Sequence, residues 1–276
     1  MLFGMIGGDR RQEELLKLLR EDGYPVAACG VAGETDLESA AAAEVVLLPL
    51  PLCREGDTLN MEGTQWGVGA LFHQFRRNQL ILAGQVKPAQ TAKARELDLN
   101  LIDYFKREEL TVANAAATAE GTVQVILEHL ERSLLGSRCL VLGFGRIGKL
   151  LSHRLAAMGA QVTAAARRPE SLAWARAYGY EAVDIGSLEP HLAEFDVVVN
   201  TVPAPVLGET CLRRLKSECL CVDVASIRGI DAAAAENLGL TCVWARALPG
   251  KLMPKTAGAI IRDTIYIIIK EQGVIL

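Results

Sequence analysis

Short apolar runs alternate along this chain with segments whose apolar positions recur every three or four residues, the pattern of buried strands joined by amphipathic helices. Leu2 to Ile6 reads as a strand, Gly7-Gly8 as a turn, and Asp9 as the N-cap of a helix carrying Leu15, Leu16, Leu18 and Leu19 as far as Gly23. A strand from Pro25 to Cys29, a short helix through the alanines and a strand from Glu44 to Leu48 follow. Such alternation predicts a parallel sheet with crossover helices. Pro49-Leu50-Pro51 stops the third strand, and the stretch from Cys53 to Gly69 predicts an irregular loop past a strand's carboxyl end, where site residues often lie. A helix from Ala70 to Arg77 and strands Gln79 to Ala83 and Asn100 to Ile102 complete a first domain of about five strands.

Thr118 reads as the cap of a long helix in which Val123, Ile126, Leu127, Leu130 and Leu134 recur at helical spacing. That helix bridges to the apolar run Leu140-Val141-Leu142 and the turn Gly143-Phe144-Gly145-Arg146-Ile147-Gly148, after which Leu150, Leu151, Leu155 and Met158 continue a helical period to Gly159. Strands at Gln161 to Ala165, Ala182 to Ile185, Asp196 to Val202, Leu220 to Val224 and Thr241 to Trp244 supply the strands of a complete Rossmann sheet. The last helix, Lys255 to Glu271, is apolar nearly all round, so it is predicted to be buried and to return to the first domain. The expected fold is α/β: a flavodoxin-like doubly wound domain over residues 1–117 with 255–276 packing back, and a Rossmann dinucleotide-binding domain over 118–254, joined by long helices.

The chemistry centres on GxGxxG. Gly143 permits the turn, Gly145 lets a pyrophosphate approach the backbone, Gly148 lets helix and strand pack closely, and the helix start offers N–H groups to phosphates. An ordinary glycine-rich turn is the bland alternative, but the strand before and the helix after favour a dinucleotide held by Gly143, Phe144, Gly145, Arg146, Ile147 and Gly148. An NAD site places Asp or Glu about 20 residues beyond the glycines. Here the second strand ends in Ala165-Ala166-Arg167-Arg168-Pro169-Glu170, and two guanidiniums suit a 2′-phosphate, so NADP is favoured over NAD. A solvated basic loop, or a ribose held by Glu170 in a shifted register, are the other readings. Thr201, Val202 and Pro203 are expected along the cofactor.

Composition narrows the setting. Half the residues are hydrophobic, enough for a substantial core, and a net charge of −4 with interspersed signs leaves no footprint for nucleic acid or an anionic membrane. The seven cysteines are odd in number and mostly in apolar stretches, so they read as reduced thiols rather than a disulfide framework. No His, Cys and carboxylate spacing suits a metal. No secretory signal is apparent and no apolar run approaches the roughly 18 residues of a membrane span, which leaves the cytoplasm as the expected location.

In open α/β sheets ligands sit beyond the strands' carboxyl ends, and with two such domains facing each other these ends would line one cleft. The four histidines fall in or near helices, poorly placed for catalysis, and Asp223, at a strand end, is expected to hydrogen-bond locally. A homo-oligomer is expected, though nothing in the sequence fixes its order.

Several stretches together resemble the A-subunit family of bacterial dipicolinate synthase over essentially the whole chain: Gly7-Gly8-Asp9-x-Arg11, Asn114-Ala115-x-x-Thr118-Ala119-Glu120-Gly121, the GxGxxG, Asn200-Thr201-x-Pro203, Asp223-x-Ala225-Ser226, and Leu248-Pro249-Gly250 followed by Pro254-Lys255-Thr256-Ala257-Gly258. The TAEG and PKTAG stretches discriminate, because GxGxxG is common to dinucleotide-binding dehydrogenases. The resemblance implies NAD(P)-dependent oxidation of dihydrodipicolinate to dipicolinate, a spore metabolite, together with a B subunit that resembles flavoproteins. A ring dicarboxylate needs two cationic or N–H-rich clamps. Arg11 with the helix start at Asp9 is a candidate for one and Lys255 with Thr256 for the other, with Thr118 also in the substrate set. Glu120 and Lys255 are candidates for the base, and Glu120 reads equally as a first-turn acid stabilising its helix. The competing readings are a 2-hydroxyacid-type NAD(P) dehydrogenase, which needs a histidine acid that this chain lacks after its last strand, and a non-catalytic NADP-binding subunit of a flavoprotein complex.

Overall fold

A computed structural model describes residues 1–274; residues 275–276 of the returning segment lie outside the described residues. The chain divides into two compact units, Met1–Asn114 joined by the chain from Pro249 onward, and Ala115–Leu248.

In the first unit β1 (Phe3–Ile6), α1 (Arg10–Glu21), β2 (Val26–Val31), β3 (Glu34–Thr35), α2 (Leu37–Ala42), β4 (Val45–Leu47), α3 (Val68–Phe72), β5 (Leu80–Ala83), α4 (Pro88–Glu96) and β6 (Asn100–Asp103) follow one another. The sheet order is β3-β2-β1-β4-β5-β6. Every pairing is parallel except β2 with β3. Leaving out β3, the order is that of the doubly wound flavodoxin-like sheet. The two-residue β3 carries no apolar period, so nothing in the sequence marks it. The face of the sheet toward α1 buries Phe3, Met5, Leu15 and Leu19 with Ile261, Ile265, Ile268 and Ile269, while Ile6, Val46, Leu48, Phe72 and Ile81 fill the other. The four isoleucines lie on α11 (Pro254–Glu271), which is half-open elsewhere, with Ile267 exposed.

Two expectations need correction. The helix expected at Ala70 to Arg77 is the shorter α3, whose C-cap is His73, and the loop before it is ordered by bridges from Cys53 to Leu59 and from Thr58 to Gly67. Thr118 caps nothing: it lies well inside α5 (Glu108–His129), whose first turn carries Glu108 and Glu109. Ala115, Ala116 and Ala117 favour helix, so the helix runs straight through the place where a cap is expected.

The second unit continues with β7 (Arg138–Leu142), α6 (Arg146–Ala157), β8 (Gln161–Ala166), α7 (Pro169–Ala177), β9 (Glu181–Asp184), β10 (Val197–Asn200), α8 (Glu209–Leu212), β11 (Leu220–Asp223), α9 (Ala232–Asn237) and β12 (Cys242–Trp244), before α10 (Leu248–Leu252) leads to α11. Its sheet runs β12-β11-β10-β7-β8-β9, all parallel, which is the Rossmann order. The central strands are apolar on both sides: Cys139, Val141, Val197 and Val199 face one core and Leu140, Leu142, Val198 and Cys221 the other. The cysteines are free thiols, as expected. Among the described residues no helix is long and apolar enough to cross a membrane.

Candidate functional site

At the end of β7 the chain turns at Gly143, with φ +92°, a conformation that glycine adopts without strain. A Cβ there would also stand 2.5 Å from Thr201 Oγ1. Gly148, one turn into α6, sits against the Gly143 carbonyl so closely that any Cβ would overlap it. Gly145 differs: it is the N-cap of α6, has no side chain to cap the helix, and a Cβ on it would meet nothing within 4 Å. The loop therefore pairs an open backbone approach with an uncapped helix start, the arrangement that accepts a dinucleotide's pyrophosphate. The Phe144 ring is turned inward, buried with Ala164, Ala166, Leu172 and Ala175 and meeting Tyr180 edge-on. Of Phe144, only the backbone is left for the cofactor. Ile147 is half-buried and packs against the core under the sheet.

Arg167 and Arg168 follow β8 and are both exposed. Arg168 lies 3.4 Å from Glu170 and 3.5 Å from Ser171 Oγ, an exposed pairing too weak to fix its guanidinium. No carboxylate ends β8 itself. At β10, Thr201 Oγ1 donates to Leu142 O at 2.8 Å, and Val202 N donates to Asn200 Oδ1 at 3.0 Å, which locks Thr201, Val202 and Pro203 beside Gly143. Asp223 is fully buried and structural. It accepts from Asn200 Nδ2 and from the amides of Ala225, Gly229 and Ile230 at 2.7–3.0 Å, so it shapes the loop after β11.

In the first unit Asp9 caps α1, accepting from Arg11 N at 3.0 Å, while Gln12 Oε1 accepts from Asp9 N at 3.1 Å. Arg11 is buried. Its Nε and Nη2 reach the two Asp9 oxygens at 2.9 and 2.7 Å, and Nη2 also donates to the carbonyl of Leu50. Burial alone would raise the Asp9 pKa, but the hydrogen bonds and charge of Arg11, with the charge of Arg54 beyond, hold it below the ordinary value. The α1 start is therefore not an open anion site, because a carboxylate already occupies it and the guanidinium has gone to that carboxylate.

Lys255 and Thr256 are exposed in the first turn of α11. The Lys255 charge reaches Glu14 on α1, whose carboxyl, hydrogen-bonded by Lys17, is held below its usual range. Glu120 lies in the middle of α5 and pairs with Arg154 Nη2 at 2.9 Å, so it is not a first-turn acid. Thr118 is buried, its carbonyl accepting from Thr122 Oγ1 at 2.7 Å.

Residues 3–105 match the family model of the N-terminal domain of the dipicolinate synthase A-subunit, and residues 99–233 that of the D-isomer specific 2-hydroxyacid dehydrogenase NAD binding domain. The A-subunit of dipicolinate synthase from Bacillus subtilis (strain 168) is 26% identical over 285 residues, covering 98% of this chain and 96% of the relative. The crystal structure of its counterpart from Bacillus halodurans superposes with TM-score 0.84 at 26% identity, over 97% of each chain. Over nearly its whole length the chain is similar to the A-subunit of dipicolinate synthase.

D-lactate dehydrogenase from Escherichia coli, at TM-score 0.64 and 16% identity over 100% of this chain and 98% of that one, shares the fold. The second unit is thus a NAD-binding domain of dehydrogenase type, and the chain is an oxidoreductase. The two stretches that carry most of the resemblance to the A-subunit both lie on helices. Thr118-Ala119-Glu120-Gly121 is interior to α5, and Pro254 to Gly258 begins α11. Sequence reasoning missed three arginines. Arg228, after β11, and Arg246, after β12, flank the Trp244 indole with guanidinium carbons 4.4 and 4.6 Å from the ring centre, and neither has an acidic partner among the described residues. Only their place just past strand ends would have flagged them. Arg54, in the loop after β4, is the third.

Proposed function

We propose that the chain is the nicotinamide-dependent component that oxidises a ring dicarboxylate, dihydrodipicolinate, to dipicolinate, with NADP as the preferred cofactor and, as partner, a flavoprotein-like B subunit. The observation that carries this reading is the likeness to the dipicolinate synthase A-subunit along nearly the whole chain, not its second half alone. The Gly145 approach and the uncapped α6 start fit a pyrophosphate, and Arg167 with Arg168 fits a 2′-phosphate. When bound, the nicotinamide ring supplies the hydride acceptor, and the protein supplies position and electrostatics. Lys255 and Thr256 remain the diacid's partners at α11. Arg11 supports the site from behind, by fixing Asp9 and the Leu50 carbonyl.

A 2-hydroxyacid substrate is disfavoured by the histidines: His73, His129, His153 and His191 all precede β10, so none follows the last strand to act as the acid. The test is turnover. Purified chain alone, given dihydrodipicolinate and NADP⁺, should form the reduced nicotinamide, faster than with NAD⁺. Oxidation of a 2-hydroxyacid instead would replace the substrate assignment. Dinucleotide binding without turnover until a flavoprotein partner is added would make the chain a binding component only.

A further inference from the structure

A planar diacid needs a guanidinium or N–H cluster for each carboxylate, and the buried Arg11 is committed elsewhere. We propose that Arg54 grips one substrate carboxylate, the role that Arg11 is not free to fill; this rests on the ring-dicarboxylate reading above, in which Lys255 and Thr256 meet the other. Arg54 lies in the ordered loop after β4, exposed, with its backbone N donating to Thr58 O at 3.0 Å. Its Nε donates to Asn60 Oδ1 at 3.0 Å, and among the described residues the guanidinium makes no other hydrogen bond and no ion pair. The terminal nitrogens, the pair that binds a carboxylate side-on, are left for a ligand.

The loop places that fork over the carboxyl end of β1. Asn60 is buried, its own N donates to Leu52 O at 2.9 Å, and its carbonyl oxygen would lie 3.1 Å from a Cβ on Gly7. Leu52 N donates in turn to Gly84 O at 2.7 Å, tying the loop to the end of β5. Arg54 is thus carried by buried backbone to the strand ends where doubly wound sheets take ligands, beside the Asp9–Arg11 pair, whose opposite charges cancel and so do not attract an anion themselves. The other arginine nearby is less suited: Arg10 donates weakly to the Lys251 carbonyl at 3.4 Å.

The experiment titrates the full chain calorimetrically with pyridine-2,6-dicarboxylate and with pyridine-2-carboxylate. Arg54→Gln should weaken the diacid at least tenfold, reduce the wild-type preference for diacid over monoacid, and leave the melting temperature and NADPH affinity unchanged. Arg54→Lys should recover part of the loss, since it restores charge without the fork. Arg11→Gln should instead lower the melting temperature, as expected of a buried positioning residue. Diacid binding unchanged in Arg54→Gln overturns the inference alone. A wild-type chain that binds neither pyridine acid overturns both this inference and the function on which it rests.

Discussion

Gly148 packs so closely on Gly143 that a Cβ built on it would stand 2.0 Å from the Gly143 carbonyl oxygen. This approach lets α6 start directly beneath the β7 turn and aims its first amides at the loop. Gly148→Ala must push helix and strand apart, an overpacking that should cost about 1–3 kcal/mol of stability in the second unit. Gly145→Ala should behave differently. Its φ of −84° suits alanine and nothing surrounds the added methyl, so thermal stability should hold while NADPH affinity falls, because the methyl stands where the pyrophosphate must come. Fluorescence titration and thermal melts on both variants separate the two roles, and undiminished NADPH binding in Gly145→Ala would remove the pyrophosphate from that glycine.

Cofactor choice is expected to depend on Arg167 and Arg168. Both are exposed and the contacts of Arg168 with Glu170 and Ser171 are loose, so replacing them should disturb the fold little. Arg167→Ala with Arg168→Ala should weaken NADPH by about 1–3 kcal/mol for each charge-assisted hydrogen bond removed and leave NADH nearly as before. Equal weakening of the two dinucleotides would mean that the pair does not read the 2′-phosphate.

Asp196, just before β10, supplies a pH dependence. Its carboxylate accepts from Arg132 at 2.9 Å, from Lys216 at 2.8 Å and from the Arg138 amide at 2.8 Å. Burial pushes its pKa up, but these partners outweigh burial and hold it below the ordinary value. A carboxyl whose folded pKa is depressed stabilises the fold above its unfolded pKa, near 4. That stability is lost as the pH falls through the lower folded value. Chemical denaturation should therefore show stability declining below about pH 4 in the wild type. Asp196→Asn should flatten that decline and lower stability at neutral pH by about 1–2 kcal/mol, since its cationic partners stay solvated. An unchanged acid limb would make another carboxylate responsible.

Much of the fold is legible from periodicity and a few marked residues. Asp9 as a cap, the strand run Leu140 to Leu142 with its glycines, and the doubly wound order of both sheets follow from local pattern and connection rules. What escapes depends on long-range partners. Thr118 has a capping side chain, but flanking alanines extend the helix past it, so residue type alone misplaces the start of α5. Arg11 looks like a free cation because the Leu50 carbonyl that it serves lies far along the chain. Arg54 is hidden for the opposite reason: it sits in an irregular loop with no period, and among the described residues its guanidinium is oriented by the hydrogen bond to Asn60. The same holds for Arg228 and Arg246, which share Trp244 only because β11 and β12 are neighbours.

The stretch Pro254-Lys255-Thr256-Ala257-Gly258 mixes exposed and packed positions, and the structure divides its work. Lys255 and Thr256 are exposed, whereas Gly258 lies on the face of α11 that meets α1. A Cβ on Gly258 would stand 2.9 Å from the Glu14 Cβ, 3.0 Å from the Arg11 carbonyl and 3.1 Å from the Leu15 amide, so the two helices touch through backbone. Gly258→Val should force α11 off α1, strain the Arg11 backbone and destabilise the first unit by about 1–3 kcal/mol. Lys255→Ala, with its side chain in solvent, should keep the melting temperature and raise KM for the diacid more than it alters NADPH affinity. Melting curves and steady-state kinetics on these two variants distinguish the halves of the motif. A Lys255→Ala enzyme with unaltered KM would leave the stretch with a packing role only.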